Sequence, residues 1–585
     1  MSQLQKRNNL NCRKITFEKG AQEMTGYPSI DKPWQKYYSE EALNKPLPEC
    51  TLFEYVFQSN RDHLDNVALD YFGQKITYRT LFANIKQVAK AFVAQGIKRG
   101  DVVTVMSLIT PETIYCIYAL NYIGAIANMV YLSLSEDEIV CTVEQTGSKM
   151  LIALEVAREK VTRIMHRVEG VKTVFLHIND SMPYIKRLGY GVTHRGDSTY
   201  KYFIRQGQSG TGEQAKYKRD MPALIVYTSG TTGHPKGVVL TNENLNSIAY
   251  QYRYCGVMFQ ENDTIMSFMP PFFAIGFSLN IHMPLCLGLK AVICVNPEPG
   301  NVTKEFLRIR PNHFIAAPSN IMQIVHNIKG DMSWCKSFGG GGECLPEEEV
   351  EEINRVLVLH NAKTKYIVGY GMSEFAATVC TDVMQECRQD SLGIPLCRTL
   401  AKVVAPDSYE EMSYGEIGEL CFHTPSQMLH YLHNERETKE IKRMHKDGVE
   451  WIHTGDLGWI DRDGFVYFKG RIKRIYMRKA PDGTIYKIFP AQVEELLNNL
   501  KSIEKCAVIA VENADTLHDL IAFLVLSPKV KCTTNLISEI NQYCKDNLPE
   551  HVVPSRYIVI SELPLTQSGK IDYQALTHQT LVQTQ

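Results

Sequence analysis

A short run of hydroxyl and glycine residues follows a strongly apolar segment near the middle of the chain. Residues 223–227 (ALIVY) have the composition of a buried strand, and Thr228–Gly237 (TSGTTGHPKG) comes directly after them. Glycines permit tight turns in which backbone N–H groups and hydroxyls surround an anion, and Lys236 adds a positive charge. The nucleotide P-loop pattern is not satisfied, because Pro235 precedes the lysine and Gly237 follows it. The run therefore predicts a phosphate-binding loop of another kind, with the ligands Thr228, Ser229, Gly230, Thr231, Thr232, Gly233 and Lys236.

Further short motifs follow this loop in order along the chain. With the loop, they make the chain resemble the adenylate-forming superfamily: acyl-CoA synthetases, aryl and fatty-acid ligases, peptide-synthetase adenylation domains and beetle luciferases. The resemblance covers about residues 50–580. The motifs are Tyr370–Glu374 (YGMSE), Gly415–Leu420 (GEIGEL), Thr454–Gly458 (TGDLG), Gly470–Lys473 (GRIK) and Ser568–Lys570 (SGK).

The residue types in these motifs suit a nucleotide and its metal ion. A carboxylate such as Glu374, on a loop beside a triphosphate, is a hard oxygen ligand for Mg²⁺. Asp456 has the charge to accept two hydrogen bonds from a ribose diol. Gly340–Gly342 lack side chains, which suits a flat adenine lying against the backbone.

The resemblance implies a role for each of these residues. Tyr370 stacks on adenine, Ser373 holds the α-phosphate and Glu374 holds Mg²⁺. Lys570 lies between the substrate carboxylate and the α-phosphate and stabilises the pentavalent transition state. The implied catalytic residues are Lys570, Glu374 and Thr228. The further implied nucleotide contacts are Gly341, Gly342, Tyr370, Gly371, Ser373, Asp456, Arg471 and Lys473, the last also serving as the hinge about which the small domain rotates.

The resemblance also implies the reaction. A carboxylate attacks the α-phosphate of ATP, pyrophosphate leaves, and a thiol then attacks the acyl-adenylate. Coenzyme A is the expected thiol. A close variant is an AMP ligase that loads a separate acyl carrier protein through its phosphopantetheine, because the residues after Lys570 are too few for a fused carrier domain. An aryl- or amino-acid-adenylating enzyme of a biosynthetic pathway and a non-catalytic nucleotide-binding relative are further alternatives.

Two departures from the family pattern bear on the substrates. Many acyl and aryl ligases have a histidine where Ala274 stands, so roles assigned to that histidine do not carry over. Relatives commonly have a glycine pair after the hinge, whereas this chain has Arg478–Lys487 (RKAPDGTIYK). That loop lies near the pantetheine arm in the family, so the departure leaves the thiol open.

The expected acid-binding segment is apolar. No Asp or Glu occurs from residue 264 to residue 297, and an unpaired ammonium in an apolar pocket would cost several kcal/mol. We therefore expect an apolar acid, a fatty acid above an aromatic one, rather than an α-amino acid. The aromatic side chains here could equally be ordinary core. The pocket candidates are Phe272, Phe273, Ala274, Ile275, Gly276 and Gly340.

Alternating helix and strand patterns must position these residues. Amphipathic stretches such as Leu81–Ala94 alternate with β-branched runs such as Val102–Met106, the rhythm of a parallel α/β sheet. The predicted fold is α/β, with stacked, mostly parallel layers in a large N-terminal domain and a small mobile α+β domain at the C-terminus. The predicted units are residues 1–50 (an N-terminal arm on the surface), 51–472 (ATP and acid binding) and 473–585 (carrying Lys570).

Composition excludes several other classes of protein. The 585 residues include 63 Lys and Arg against 64 Asp and Glu, so the net charge of −1 gives no reason to bind nucleic acid. The apolar content of 44% argues against disorder. The 16 cysteines never form a C-x-x-C pair, and the N-terminus lacks an apolar signal core. We expect a cytoplasmic protein with free thiols.

Two stretches without charged residues have the length of a membrane span. They are Thr113–Ser135 and Thr264–Leu289. Prolines, glycines and asparagines interrupt both stretches, which favours a buried helix followed by a buried strand. No transmembrane segment is expected.

Overall fold

The computed structural model describes most of the chain. Residues 229–233 of the predicted phosphate loop and Lys570 lie outside the described residues, and only the backbone of Lys473 is described. The described ranges are 24–187, 199–207, 211–228, 236–342, 345–383, 386–388, 390–406, 408–474, 476–480, 483–528, 530–566 and 571–583.

The strands occur throughout these ranges. In chain order they are β1 (Val67–Tyr71), β2 (Gln74–Thr77), β3 (Val102–Met106), β4 (Ile126–Met129), β5 (Met150–Leu154), β6 (Lys172–Leu176), β7 (Pro222–Thr228), β8 (Lys236–Thr241), β9 (Thr264–Ser267), β10 (Lys290–Ile293), β11 (His313–Ala316), β12 (Ser337–Gly341), β13 (Tyr366–Tyr370), β14 (Cys380–Thr381), β15 (Ile394–Pro395), β16 (Leu400–Val404), β17 (Gly418–His423), β18 (His430–Tyr431), β19 (Lys442–Met444), β20 (Glu450–Ile460), β21 (Val466–Arg471), β22 (Tyr476–Lys479), β23 (Ile485–Ile488), β24 (Ile503–Asn513), β25 (Leu517–Leu526) and β26 (Arg556–Val559).

Helices connect most of these strands. In chain order they are α1 (Pro28–Asp31), α2 (Glu40–Asn44), α3 (Leu52–Asn60), α4 (Tyr78–Ala94), α5 (Pro111–Ile123), α6 (Glu136–Thr146), α7 (Arg158–Met165), α8 (Tyr184–Arg187), α9 (Tyr200–Gln206), α10 (Asn242–Arg253), α11 (Ala274–Phe277), α12 (Met283–Cys286), α13 (Pro299–Ile309), α14 (Pro318–Val325), α15 (Glu347–Leu359), α16 (Glu435–Ile441), α17 (Pro490–Asn498), α18 (Thr534–Asn547) and α19 (Tyr573–Gln583).

Two large sheets form the N-terminal domain. One has nine strands in the order β15-β14-β13-β12-β11-β9-β10-β1-β2, and the other has seven in the order β18-β8-β7-β4-β3-β5-β6. Their central strands pair in parallel, and antiparallel strands lie at both edges of the nine-stranded sheet and at one edge of the seven-stranded sheet. The largest apolar cluster joins both sheets and the helices between them. The predicted α/β class with a smaller C-terminal domain is confirmed.

A third sheet, of β16, β17, β20, β19 and β21, carries residues of three of the motifs: Gly415–Leu420, Thr454–Gly458 and Gly470–Lys473. The turn residues Asp461–Gly464 (DRDG) between two apolar runs predict a hairpin, and the structure confirms it, with Trp459 opposite Tyr467. Beyond it, β24, β25 and β26 form the sheet of the small domain. The sequence predicts a helix over 490–499 and strands over 507–511 and 521–526 in this region. Helix α17 agrees, but β24 and β25 are longer, because their ladder continues through polar residues to the pair Asn513 and Leu517. The boundary near residue 472 stays a prediction.

The two uncharged stretches are buried rather than helical spans. The first forms α5 and then β4, as predicted; Thr110 caps α5 and Gly124 ends it with a left-handed backbone. In the second, the helical turns from α11 to α12 are followed by the buried strand β10, as predicted, but strand β9 comes before them and was not predicted. Among the described residues, no helix combines the length and apolar character needed to cross a bilayer.

The N-terminal arm does more than lie on the surface. In its described part, Trp34 is only 1% exposed and packs in one apolar cluster with Phe465 and Val466. The indole Nε1–H donates to the carbonyl oxygen of Thr399 at 3.1 Å. Burial of this large aromatic ring contributes more free energy than ordering the polar arm costs. The arm, which was expected to lie on the surface, is therefore anchored in the domain.

Replacing the anchoring indole tests this arrangement. We expect Trp34→Ala to lower the free energy of unfolding of the large domain by about 3–5 kcal/mol, because it leaves a cavity and an unpaired carbonyl. The measurement is chemical or thermal unfolding followed by tryptophan fluorescence and circular dichroism. Tyr27→Ala, at a side chain 39% exposed, is the matched control and should be nearly neutral. Equal stability of the two variants would contradict the anchoring role.

Candidate active site

The predicted phosphate loop joins the ends of two paired strands. Thr228 ends β7, Lys236 begins β8, and the two residues are direct partners in the antiparallel ladder. Five residues of the prediction, Ser229, Gly230, Thr231, Thr232 and Gly233, lie between them, outside the described residues. The pairing of the two strands therefore places Thr228 and Lys236 at the two ends of the loop.

Lys236 is held by two residues that the sequence analysis did not select. Its ammonium forms an ion pair with Glu437 and lies 5.3 Å from the centre of the Tyr431 ring. Both side chains of the ion pair are 18% exposed, so the cation is largely shielded from bulk water. Tyr431 reaches this position because β18 pairs with β8, opposite Val238. A phosphate that binds Lys236 must share or replace the carboxylate of Glu437.

Glu374 is linked to the same tyrosine. The hydroxyl of Tyr431 donates to Oε1 of Glu374 at 2.5 Å, and Glu374 is buried in a 3-10 turn that spans Ser373–Phe375. Burial raises the pKa of Glu374, while the hydrogen bond from Tyr431 and the nearby cations of Arg471 and Lys236 lower it. Within the part of the chain that the structure describes, no ion pair involves this carboxylate. A buried carboxylate in that position is suited to a metal ion.

The three residues expected at adenine and ribose contact one another. Tyr370 ends β13, and its hydroxyl donates to Oδ2 of Asp456 at 2.6 Å. Arg471 Nε lies 2.7 Å from Oδ1 of Asp456, because the two residues are cross-strand partners in β20 and β21. Asp456 is 2% exposed, whereas half of the Arg471 side chain is exposed. The buried carboxylate is thus oriented from both sides.

The predicted glycines lie where backbones approach closely. A Cβ on Gly341 would stand 2.0 Å from the carbonyl oxygen of Gly369, and one on Gly340 would stand 2.5 Å from that of Ala316. A Cβ on Gly371 would meet the carbonyl oxygen of Ala377 at 2.1 Å. Gly342 has a φ of +98°, which only glycine adopts readily. Gly340 and Gly341 thus let β12 lie close to β11 and β13, and Gly371 lets the backbone after Tyr370 pass close to residue 377.

The apolar segment expected to bind the acid packs around an aromatic cluster. The ring of Phe272 meets that of Tyr131 edge-on at 4.2 Å, and Phe273 lies 5.6 Å from the same tyrosine. Phe272 and Ala274 are buried, while Phe273 and Ile275 are partly exposed. Gly276 packs against the backbone of residue 270, where a side chain at position 276 would collide with the carbonyl oxygen. The glycine at this position is therefore explained by packing.

A histidine later in this segment does not replace the one missing at position 274. His282 is fully buried, with Nδ1 2.9 Å from the Tyr118 hydroxyl and Nε2 2.9 Å from Oδ1 of Asn246. Burial lowers the pKa of His282 to about 3, so the ring stays neutral. With both nitrogens engaged, His282 joins helices in the core.

The structure therefore brings most described site residues into two neighbouring groups and adds two residues. Glu374 and Lys236 meet at Tyr431, while Tyr370 and Arg471 meet at Asp456. Lys570 lies outside the described residues, and for Lys473 only the backbone position, in a 3-10 turn, is described. The only local signal for Glu437 was its place three residues after the helix cap Asn434, whose side chain accepts from the Glu437 N–H.

Comparison with known proteins identifies the family of the chain. The family model described as "AMP-binding enzyme" matches residues 56–432, and the one described as "AMP-binding enzyme C-terminal domain" matches residues 492–570. The chain is 25% identical to a long-chain-fatty-acid–CoA ligase of Bacillus subtilis over 92% of this chain and 96% of that protein. It is 27% identical to a probable 4-coumarate–CoA ligase of Dictyostelium discoideum, over 82% of this chain and 87% of that protein.

Solved structures share the fold. ATP-bound MatB from Rhodopseudomonas palustris superimposes with a TM-score of 0.79 at 20% identity, covering 91% of this chain and 99% of that one. The anthranilate CoA ligase AuaEII with anthranoyl-AMP gives a TM-score of 0.75 at 22% identity, covering 92% and 98%. The protein therefore belongs to the AMP-binding enzyme family, within the adenylate-forming superfamily.

Proposed function

We propose that this protein is an AMP-forming acid–CoA ligase, which activates an apolar carboxylic acid with ATP and passes the acyl group to coenzyme A. The observation that carries the proposal is that Lys236 and Glu374 both contact Tyr431. A cation that can bind phosphate and a carboxylate suited to a metal ion therefore lie close together. The similarity to a fatty-acid–CoA ligase and a probable 4-coumarate–CoA ligase supports this class of reaction.

In the proposed reaction an oxygen of the substrate carboxylate attacks the α-phosphorus of ATP. The new P–O bond gives an acyl-adenylate, and the bond to the β-phosphate oxygen breaks with its electron pair remaining on pyrophosphate. The thiolate of coenzyme A then attacks the acyl carbon, and AMP leaves with the electron pair of the broken C–O bond. Activation is needed because the carboxylate itself would have to expel oxide.

The charged residues divide this work between the two groups of the site. Lys236, with Thr228 and the loop that follows it, neutralises the departing pyrophosphate. Asp456 and Arg471 hold the ribose, and Tyr370 packs against the adenine beside the close-packed glycines. Lys570 stabilises the charge that develops between the carboxylate and the α-phosphate.

The donor set also fits Mg²⁺, the ion that this family implies. Glu374 offers a buried carboxylate held in place by Tyr431, and carboxylate oxygens are the ligands that Mg²⁺ prefers. When bound with ATP, the ion neutralises phosphate charge as the anhydride bond breaks. The protein's own contribution is to fix Glu374 and to keep Lys236 close to it.

For the acid we propose a fatty acid, with an aromatic acid as the alternative. The partly exposed Phe273 and Ile275 offer apolar surface beside Tyr131. The segment 264–297 contains no Asp or Glu that could pair with the ammonium of an amino acid. For the thiol we propose coenzyme A, with a carrier-bound phosphopantetheine as the alternative. Rotation of residues 473–585 about Lys473 would exchange the faces used in the two steps.

A panel of acids tests the substrate proposal. We expect ATP–pyrophosphate exchange with fatty or aromatic acids, and a kcat/KM at least about a hundredfold lower with α-amino acids of similar size, because a buried unpaired ammonium is costly. Addition of coenzyme A to the preformed adenylate should yield a thioester.

Each result of this panel has a distinct meaning. Exchange strongest with an α-amino acid would contradict the apolar pocket, and no exchange with any acid would contradict the ligase itself. A thioester formed with a carrier protein but not with coenzyme A would support the adenylation step and identify the carrier, rather than coenzyme A, as the acceptor.

The role of Lys570 is tested separately. We expect Lys570→Ala to lower the rate of pyrophosphate exchange by about 10²–10³-fold, because it removes a charge that stabilises the transition state. Lys545→Ala, at an exposed position of α18, is the matched control and should leave the rate unchanged. Exchange that persists in Lys570→Ala would exclude this lysine from the adenylation step.

The pH dependence reports on the hydrogen bond between Tyr431 and Glu374. Since burial raises the pKa of Glu374, activity that needs its carboxylate is present above this raised pKa and is lost as the pH falls through it. Tyr431→Phe removes a hydrogen bond that favours the charged form, so the acid limb of kcat/KM should move to higher pH. The ring that faces Lys236 is retained. Tyr409→Phe, at a half-exposed ring, is the control, and an unmoved acid limb in Tyr431→Phe would contradict the link.

A further inference from the structure

We infer that Glu419, Cys421 and His453 form a binding site for a divalent transition-metal ion such as Zn²⁺, separate from the proposed nucleotide site. One ligand atom from each residue, a carboxylate oxygen, the thiol sulfur and an imidazole nitrogen, lies within 4.8 Å of the other two. All three residues are buried. Nitrogen, sulfur and carboxylate oxygen are the donors that Zn²⁺ takes in proteins.

Strand pairing, rather than a loop, brings the three residues together. Glu419 and Cys421 are two residues apart on β17, so their side chains point to the same face of the sheet. His453 on β20 is the cross-strand partner of Cys421. Ligands on paired strands are held more rigidly than ligands on a loop, which lowers the cost of organising the site.

The hydrogen bonds around His453 have the form found around metal-binding histidines. Its Nε2 lies 2.8 Å from Nε2 of His445, and its Nδ1 lies 2.7 Å from Oε2 of Glu419. A ligating histidine commonly engages its second nitrogen in a hydrogen bond that sets the tautomer. If Nε2–H donates to His445, the lone pair of Nδ1 faces the carboxylate and the thiol.

The spacing leaves room for an ion after a small adjustment. Tetrahedral ligands with bonds of about 2.0–2.3 Å lie roughly 3.3–3.8 Å apart. The 2.7 Å between Nδ1 and Oε2 must therefore widen when the proton of the neutral imidazole moves from Nδ1 to Nε2 and an ion takes its place. With three protein ligands, water takes the fourth position.

The surrounding charges allow a divalent ion. Lys402, the other cross-strand partner of Cys421, is 3% exposed and forms a 2.9 Å ion pair with Asp447. Because this ion pair has no net charge, the remaining charges are those of Glu419 and a thiolate at Cys421. A divalent ion balances these two negative charges.

Metal binding must release the proton of the thiol. The thiolate, rather than the thiol, is the metal ligand, and a buried cysteine without a metal ion carries its proton. The ion forms a bond to the sulfur, and the displaced proton goes to solvent. Affinity should therefore rise with pH.

The site also has a structural link to the nucleotide residues. Oε1 of Glu419 accepts the backbone N–H of Gly455 at 3.0 Å, directly before Asp456. An ion held through Glu419 would strengthen the support of the turn that carries the ribose carboxylate.

Cobalt provides the direct probe. Full-length protein treated with a chelator is titrated with Co²⁺, which gives a near-ultraviolet charge-transfer band only when a thiolate is bound, and then with Zn²⁺ by calorimetry. We expect one equivalent to bind with a thiolate band and with release of protons. Cys421→Ala should abolish the band, and His453→Gln should weaken Zn²⁺ binding by about tenfold or more.

The matched control is Cys397→Ala, which removes another fully buried thiol outside the cluster and should keep the band. Circular dichroism confirms that each variant folds, and the wild-type spectrum decides the question even if Cys421→Ala does not fold. A wild-type protein without a thiolate band, or a folded Cys421→Ala that keeps it, would overturn the site and leave a hydrogen-bonded chain of Glu419, His453 and His445.

Discussion

The antiparallel pairing of β8 with β7 on one side and β18 on the other is the constraint on which the site depends. Pairing with β7 closes the phosphate loop and sets Lys236 opposite Thr228. Pairing with β18 brings Tyr431 over the ammonium of Lys236, and from there its hydroxyl reaches Glu374. Without this edge of the seven-stranded sheet, the cation and the carboxylate would have no common partner.

In the structure, each of the two described cations of the site is paired with a carboxylate. Glu437 offsets Lys236, and Asp456 offsets Arg471. Such pairing lowers the cost of keeping charged groups in a largely dry site, but it also means that each phosphate or ribose contact is an exchange of partners. The net contribution of each charge to nucleotide binding is therefore smaller than its direct attraction.

The sequence could predict what depends on short segments. The helix and strand around Gly124 and the hairpin of β20 and β21 follow from local composition and turn residues. Strand β9, which comes before the helical turns of the second uncharged stretch, was not predicted, since a short apolar run fits a buried strand or a buried helix equally well. The burial of Trp34 depends on Phe465, more than 400 residues away in sequence.

The sequence by itself determined the residue types for a nucleotide site, their order along the chain and, through resemblance, the family. Only the tertiary structure decided that Tyr431 and Glu437 contact the predicted residues, and that Glu419, Cys421 and His453 share one face of a sheet. The physical reason is that strand register and burial arise from pairing between distant segments. Local patterns carry no information about which strand becomes the neighbour of another.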